Sequence, residues 1–304
     1  MGEKINSEKI FDWADIRRDI QSETPNLRDF IGDPYSEEEV ARDLAKIERI
    51  KSGSNYKHNN GIGDSEIQEY ATAQEIGEMD WFGEELQRDK LFPDDQGSDT
   101  CTFMTSEFDD HINHVDVICL MNNAYSDFQP VPFALDLTYN ADVEGLDKKF
   151  HWRHPDKSID SPGFCTVKYF EDTFNVEPIL PRGRIAALPR FIVGFSPDLS
   201  ERITEERMTN TGWGALSREE PSSKAKFCVL QELELQSSQM LEWLDKYRDI
   251  NPELDQMFQN VTALNQFFGS ALEAAKKHDP RGFQKYAAHD PVFQAIISRN
   301  IISG

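Results

Sequence analysis

The chain has 304 residues, of which 38% are hydrophobic and 29% charged, and its net charge is -23. Its 20 Phe, 8 Tyr and 5 Trp can bury a sizeable core, which excludes a disordered chain. No run of about 18 apolar residues could form a membrane span, and the charge argues against a general nucleic-acid coat protein.

The opening MGEKINSEKIFDW has no apolar h-region and no small-residue cleavage site, so no secretory signal is expected. Asn6 stands where a myristoylation pattern wants Ser or Thr. Cys101, Cys119, Cys165 and Cys228 form no CxxC pair and read as reduced, mostly buried thiols of a cytoplasmic protein.

Residues 1–60 read as short helices with polar breaks. Ser36 caps a helix whose first turn is Glu37-Glu38-Glu39 and whose apolar stripe is Val40, Leu44, Ile47 and Ile50. Residues 51–63, KSGSNYKHNNGIG, read as a linker. A further helix is expected from Asp64 to about Arg88, with Ile67, Tyr70, Ala71, Met79, Phe82 and Leu86 on one face. Glu75 and Glu78 fall on or beside that face, where a carboxylate must be paired, protonated or metal-bound. Gly77 weakens this helix.

Five strands follow, at 100–105, 115–120, 132–138, 165–170 and 190–195. Runs this apolar suggest a sheet covered by helices on both faces. Residues 143–152 read as a helix between the third and fourth strands. Beyond Ser222 the chain is expected to be helical, with Phe227, Leu230, Leu233, Leu241, Leu244 and Tyr247 on one stripe. Asn251-Pro252, Asp279-Pro280 and Asp290-Pro291 each place a capping residue before a first-turn proline. The expected fold is α/β, a central mixed sheet flanked by helices, with helical extensions at both ends. The expected divisions are 1–63, 64–200 and 201–304.

Two of these strands each hold one carboxylate among apolar residues: Asp116 in Val115–Ile118 and Asp136 in Ala134–Thr138. Alternation puts Asp136 and Thr138 on one face and Leu135 and Leu137 on the other. A single such Asp reads as a strand-end cap. Two in successive strands suggest convergence on one divalent cation, Mg²⁺ or Mn²⁺. Residues 61–140 add 18 acidic side chains against only Arg88 and Lys90, a balance of -16, whereas residues 141–190 are neutral. Lys148, Lys149, Arg153, Lys157, Arg182, Arg184 and Arg190 make that neutral stretch the expected phosphate-facing surface. A weaker metal reading joins the two HxxH groups, His111/His114 and His151/His154, to Asp109 and Asp110 as a zinc or iron site. There is no GxxxxGK(S/T) loop, GxGxxG turn or GxSxG elbow, which disfavours NTPases, Rossmann dehydrogenases and ordinary α/β-hydrolases.

The order helix with Glu, strand, strand with Asp116, then Asp136-Leu137-Thr138 resembles the PD-(D/E)XK nuclease superfamily. FDDHINHVDVICL followed by FALDLTYN is also similar to nuclease-like bacterial proteins of uncertain function. The resemblance covers about residues 64–196 and implies a restriction-endonuclease-like core. It further implies that Asp116 and Asp136 hold Mg²⁺ or Mn²⁺, with Glu75 or Glu78 completing the shell, and that DNA or RNA is cleaved. Thr138 stands where the family has its lysine; a hydroxyl brings no positive charge. Lys148, Lys149 or Lys168 could supply the cation, with Lys149 the best placed. The competing expectation is an inactive nuclease fold that serves as an acidic module for a basic protein partner. A lysine or arginine near Asp116 and Asp136 favours the first; its absence favours the second.

Overall fold

The computed structural model describes residues 13–52, 64–78, 100–121, 131–139, 163–172, 182–209, 220–249, 251–252, 254–279 and 290–298. Helices α1 (Trp13–Glu23), α2 (Glu37–Lys51) and α3 (Asp64–Glu78) precede the sheet. The strands are β1 (Thr100–Met104), β2 (Val117–Met121), β3 (Val131–Thr138), β4 (Phe164–Phe170) and β5 (Gly183–Gly194). Helices α4 (Pro197–Thr209), α5 (Glu220–Tyr247), α6 (Leu254–His278) and α7 (Pro291–Ile297) close the chain.

The sheet runs β1-β2-β3-β5-β4. β3 and β5 are parallel, and the other neighbours are antiparallel. The expected mixed α/β sheet with flanking helices is therefore present. The strand positions agree with the sequence within a residue or two, except that β5 begins at Gly183 rather than Arg190. The expected helix at 143–152 lies outside the described residues, as do 53–63 of the expected linker and residues 79–88, while Lys51, expected in the linker, ends α2.

One sheet face carries Val117, Cys119, Phe133, Leu135, Leu137, Phe191 and Val193, packed against Ile76 of α3, Leu230 and Leu233 of α5 and Leu264 and Phe268 of α6. The rings of Phe133, Phe191 and Phe268 meet edge to face with centroids 5.5–5.8 Å apart. Burying each such ring is worth about 1.5–3 kcal/mol. The opposite face carries Phe103, Ile118, Leu120, Ala134, Val167 and Leu188. There, α7 covers Ile192 with Val292 and Ile296.

The capping box of α2 forms as the sequence predicts: Ser36 Oγ accepts from the Glu39 N–H, and the Glu39 carboxylate accepts from the Ser36 N–H. Val40 and Ile47 are buried, but Ile50 is 38% exposed, so the stripe ends a turn early. Gly77 is a packing feature. An added Cβ would stand 2.5 Å from Thr102 Oγ1, so glycine lets α3 lie close on β1. Thr102 then donates its hydroxyl to the Ala73 carbonyl.

A second close approach joins β3 to β5. A Cβ on Gly194 would collide with the backbone carbonyl oxygen of Thr138, its partner across the parallel pair. Gly194→Ala is expected to lower stability by about 1–3 kcal/mol. A urea midpoint equal to that of the wild type would contradict this contact.

Beyond Pro189, β5 runs past the end of its pairing with β4. Helix α5 serves that edge with side chains. Gln236 Oε1 accepts from Ile192 N–H and its Nε2 donates to Ile192 C=O. Glu232 Oε2 accepts from Gly194 N–H, and Asp290, the N-cap of α7, accepts from Ser196 N–H. Buried backbone groups must find partners, and here the sequence supplies them from helices.

Candidate functional site

Asp116 and Asp136 come together where β2 and β3 meet. Asp116 sits one residue before β2 rather than inside it, a correction to the sequence reading. Its N–H donates to the carbonyl of Leu135, and its carboxylate Oδ2 accepts from Leu137 N–H at 2.6 Å. Asp116 thus straddles Asp136, bonding to the residue on either side of it. Its carboxylate takes the place of a backbone carbonyl where the ladder ends, which is the strand-cap role.

Asp136 is 1% exposed, and Leu135 and Leu137 face the helical core, as alternation requires. Arg190 stands beside Ala134 in the parallel register, so its side chain shares the face of Asp136. The Arg190 guanidinium lies 3.2 Å from Asp136 Oδ2 and also donates to the His114 carbonyl. Arg190 itself is 6% exposed. One buried guanidinium therefore binds β5, β3 and the segment leading into β2.

The sequence placed Arg190 among phosphate-facing cations; its burial against Asp136 corrects this. Arg182 is also committed, donating to the carbonyls of Asp29 and Asp33 and to Glu171. Lys168, one of three candidates to replace the motif lysine, is far from the pair in role. Its ammonium bonds to Asp43 of α2 and lies 4.6 Å from the Tyr35 ring centroid. Burial alone would raise the Asp43 carboxyl, but hydrogen bonds from Lys168, Lys46 and Tyr169 outweigh it and hold it below its ordinary range. Lys148 and Lys149 lie outside the described residues, as do His151, His154 and the side chain of Glu78.

Glu75 is 1% exposed on α3, as the helical stripe predicts. Thr138 is buried next to Gly194. Tyr139, which the sequence did not single out, shares a hydrogen bond with Thr72 of α3. Burial drives the Tyr139 phenol well above its ordinary pKa, reinforced by the charges of Glu69 and Asp116.

Asp109 explains much of the FDDHIN segment. Its two carboxylate oxygens accept from Ser106 Oγ, Asn113 Nδ2 and the N–H groups of Lys168 and Tyr169. The last two are consecutive, which is possible because β4 is irregular against β5 at this point. Burial raises the Asp109 carboxyl above its ordinary range despite these donors. His111 contacts Asp110 at 3.3 Å, and His114 adopts a left-handed backbone with φ of 52°.

A Mg²⁺ or Mn²⁺ centre needs converging oxygens with room for water and a phosphate. One oxygen of Asp116 is engaged by a backbone N–H and one of Asp136 by a guanidinium, and both residues are buried. Among the described residues no group of three or more His, Cys, Asp or Glu is arranged to hold a metal ion. Among them also no helix is long and apolar enough to cross a membrane. Comparison with protein-family models, curated proteins and solved structures finds no match.

Proposed function

We propose that this chain is a restriction-endonuclease-like fold of the PD-(D/E)XK kind that works by binding rather than cleavage, as an acidic module for a basic protein partner. The observation that carries this reading is the buried Arg190–Asp136 pair. By its presence alone the Arg190 guanidinium meets the expectation that favours hydrolysis, but what weighs against it is that this cation is buried in an ion pair with Asp136. A guanidinium keeps its proton and cannot relay one to water, and its fixed charge competes with a metal for Asp136. The net charge of -23 supports a basic rather than a polyanionic partner.

The second reading is Mg²⁺- or Mn²⁺-dependent hydrolysis of phosphodiester bonds in DNA or RNA. It is favoured by the way Asp116 straddles Asp136, with Glu75 buried on the helix that precedes them. Calorimetric titration of Mn²⁺ into the wild type and into Asp116→Ala/Asp136→Ala separates the two. The binding reading expects no saturable heat in either protein. It also expects an oligolysine peptide to bind with an affinity that falls as salt rises, and a DNA duplex not to bind. Saturable Mn²⁺ binding that disappears in the double variant would overturn it and install the hydrolytic reading.

A further inference from the structure

The junction of α5, β5 and α7 holds a carboxyl group that neither reading uses. Glu232 is fully buried, at 0% exposure. Its Oε2 accepts the Gly194 N–H at 2.9 Å, but its Oε1 has no hydrogen-bond partner. Beside it is Asp290, also at 0% exposure. Asp290 Oδ1 accepts from Val292 N–H and Phe293 N–H, and its Oδ2 accepts from Ser196 N–H. Among the described residues, the hydrogen bonds that Asp290 accepts thus all come from backbone N–H groups, and Glu232 accepts one such bond.

We propose that Glu232 is a proton-operated latch that holds α7 against β5 and α5 when protonated and releases α7 when ionised. A neutral carboxyl can rest at this site with one N–H donor. An anion there would have one unpartnered oxygen in an apolar surrounding and a second buried carboxylate beside it, a costly pair. Burial, the Gly194 N–H acting against it, and the charge of Asp290 together drive the Glu232 carboxyl well above its ordinary range.

Among the described residues, the groups facing Glu232 are few. From β5 comes the Gly194 N–H, from the α7 side Asp290, and from α5 itself the buried Cys228 thiol one turn earlier. Lys224 acts on Cys228 from the start of α5. The part able to yield is α7, a seven-residue helix held by the Asp290 cap, by Val292 and Ile296 on Ile192, and by Phe293 on Cys228. α5, in contrast, is 28 residues long and built into the main core.

The sign follows from linkage. A carboxyl whose folded pKa is raised contributes stability that is complete below its ordinary pKa and lost as pH rises toward the folded value. Opening of α7 should therefore grow by about tenfold per pH unit above the ordinary carboxylate range, until Glu232 itself has titrated. Amide hydrogen exchange on the full chain between pH 5 and 9, corrected for base catalysis, reads this directly. The α7 amides should lose protection at that slope while the β3 and β5 amides paired with each other keep theirs. In Glu232→Gln, which retains an acceptor for Gly194, the α7 amides should show no such slope. Protection of α7 that is independent of pH in the wild type, or an equal slope in Glu232→Gln, overturns the proposal. Should the variant fail to fold, a carboxyl ¹³C titration of wild-type Glu232 decides, and titration in the ordinary carboxylate range overturns the latch.

Discussion

Arg190→Met is expected to lower stability by about 3–5 kcal/mol, because it leaves Asp136 charged and buried without its guanidinium. Methionine fills much of the volume, so the loss would measure the charge rather than a cavity. The His114 carbonyl loses a donor as well, which loosens the segment leading into β2. The double variant Arg190→Met/Asp136→Leu is expected to recover most of that loss, since an apolar pair of similar size is often neutral or better than a buried ion pair. Urea denaturation of the two variants checks both halves. If the double variant were no more stable than the single, Asp136 would have a further essential partner, and its pairing with Arg190 would not be the main reason for its place in the strand.

Asp109→Ala is expected to be as damaging, by about 4 kcal/mol or more. The substitution removes the acceptor for four buried or half-buried donors at once: Ser106 Oγ, Asn113 Nδ2 and the N–H groups of Lys168 and Tyr169. Each unmet donor costs about 1–3 kcal/mol, and water can relieve only those near the surface. Asp109→Asn keeps one acceptor oxygen but turns an NH₂ toward donors, so its loss should fall between alanine and wild type. Thermal unfolding of both variants orders them. Equal midpoints for Asn and wild type would mean that the second oxygen does nothing for β4, and equal midpoints for Ala and Asn that the retained oxygen does nothing.

Much of the fold was readable because its causes are local. The Ser36–Glu39 capping box, the stripe of α5 and the Asp290-Pro291 start of α7 each depend on residues a few positions apart. Strand alternation likewise put Asp136 and Thr138 opposite Leu135 and Leu137. The start of β5 was missed because Ala186, Ala187 and Pro189 are poor strand formers, and β4 supplies the pairing that holds them.

The site was legible only in outline. Its two aspartates stood out as charges in apolar strands, and the structure does bring them together. Their partners did not stand out. Arg190 is 54 residues from Asp136, and Lys168 is 125 residues from Asp43, so nothing in local spacing links them. Lys168 was a candidate for the missing motif lysine because it falls on the strand after Asp136, and that position alone does not show that the lysine is tied to a distant carboxylate. Asp109 was weighed as a metal ligand because it adjoins the His111/His114 pair. A buried carboxylate advertises a need for positive charge or N–H donors, and the sequence does not say which of the two is met.

The side chains that finish the sheet also settle how it can meet other chains. An uncovered strand edge invites a foreign strand to add on, by docking or by templated fibril growth. At Ile192 the Gln236 amide already makes both bonds that such a strand would offer, and at Lys168 and Tyr169 the Asp109 carboxylate holds two of the N–H groups. An incoming strand would have to displace α5 at Ile192 or break the two Asp109 bonds at Lys168 and Tyr169. Along these stretches the sheet is sealed from within, and a partner must be met by side chains rather than by backbone.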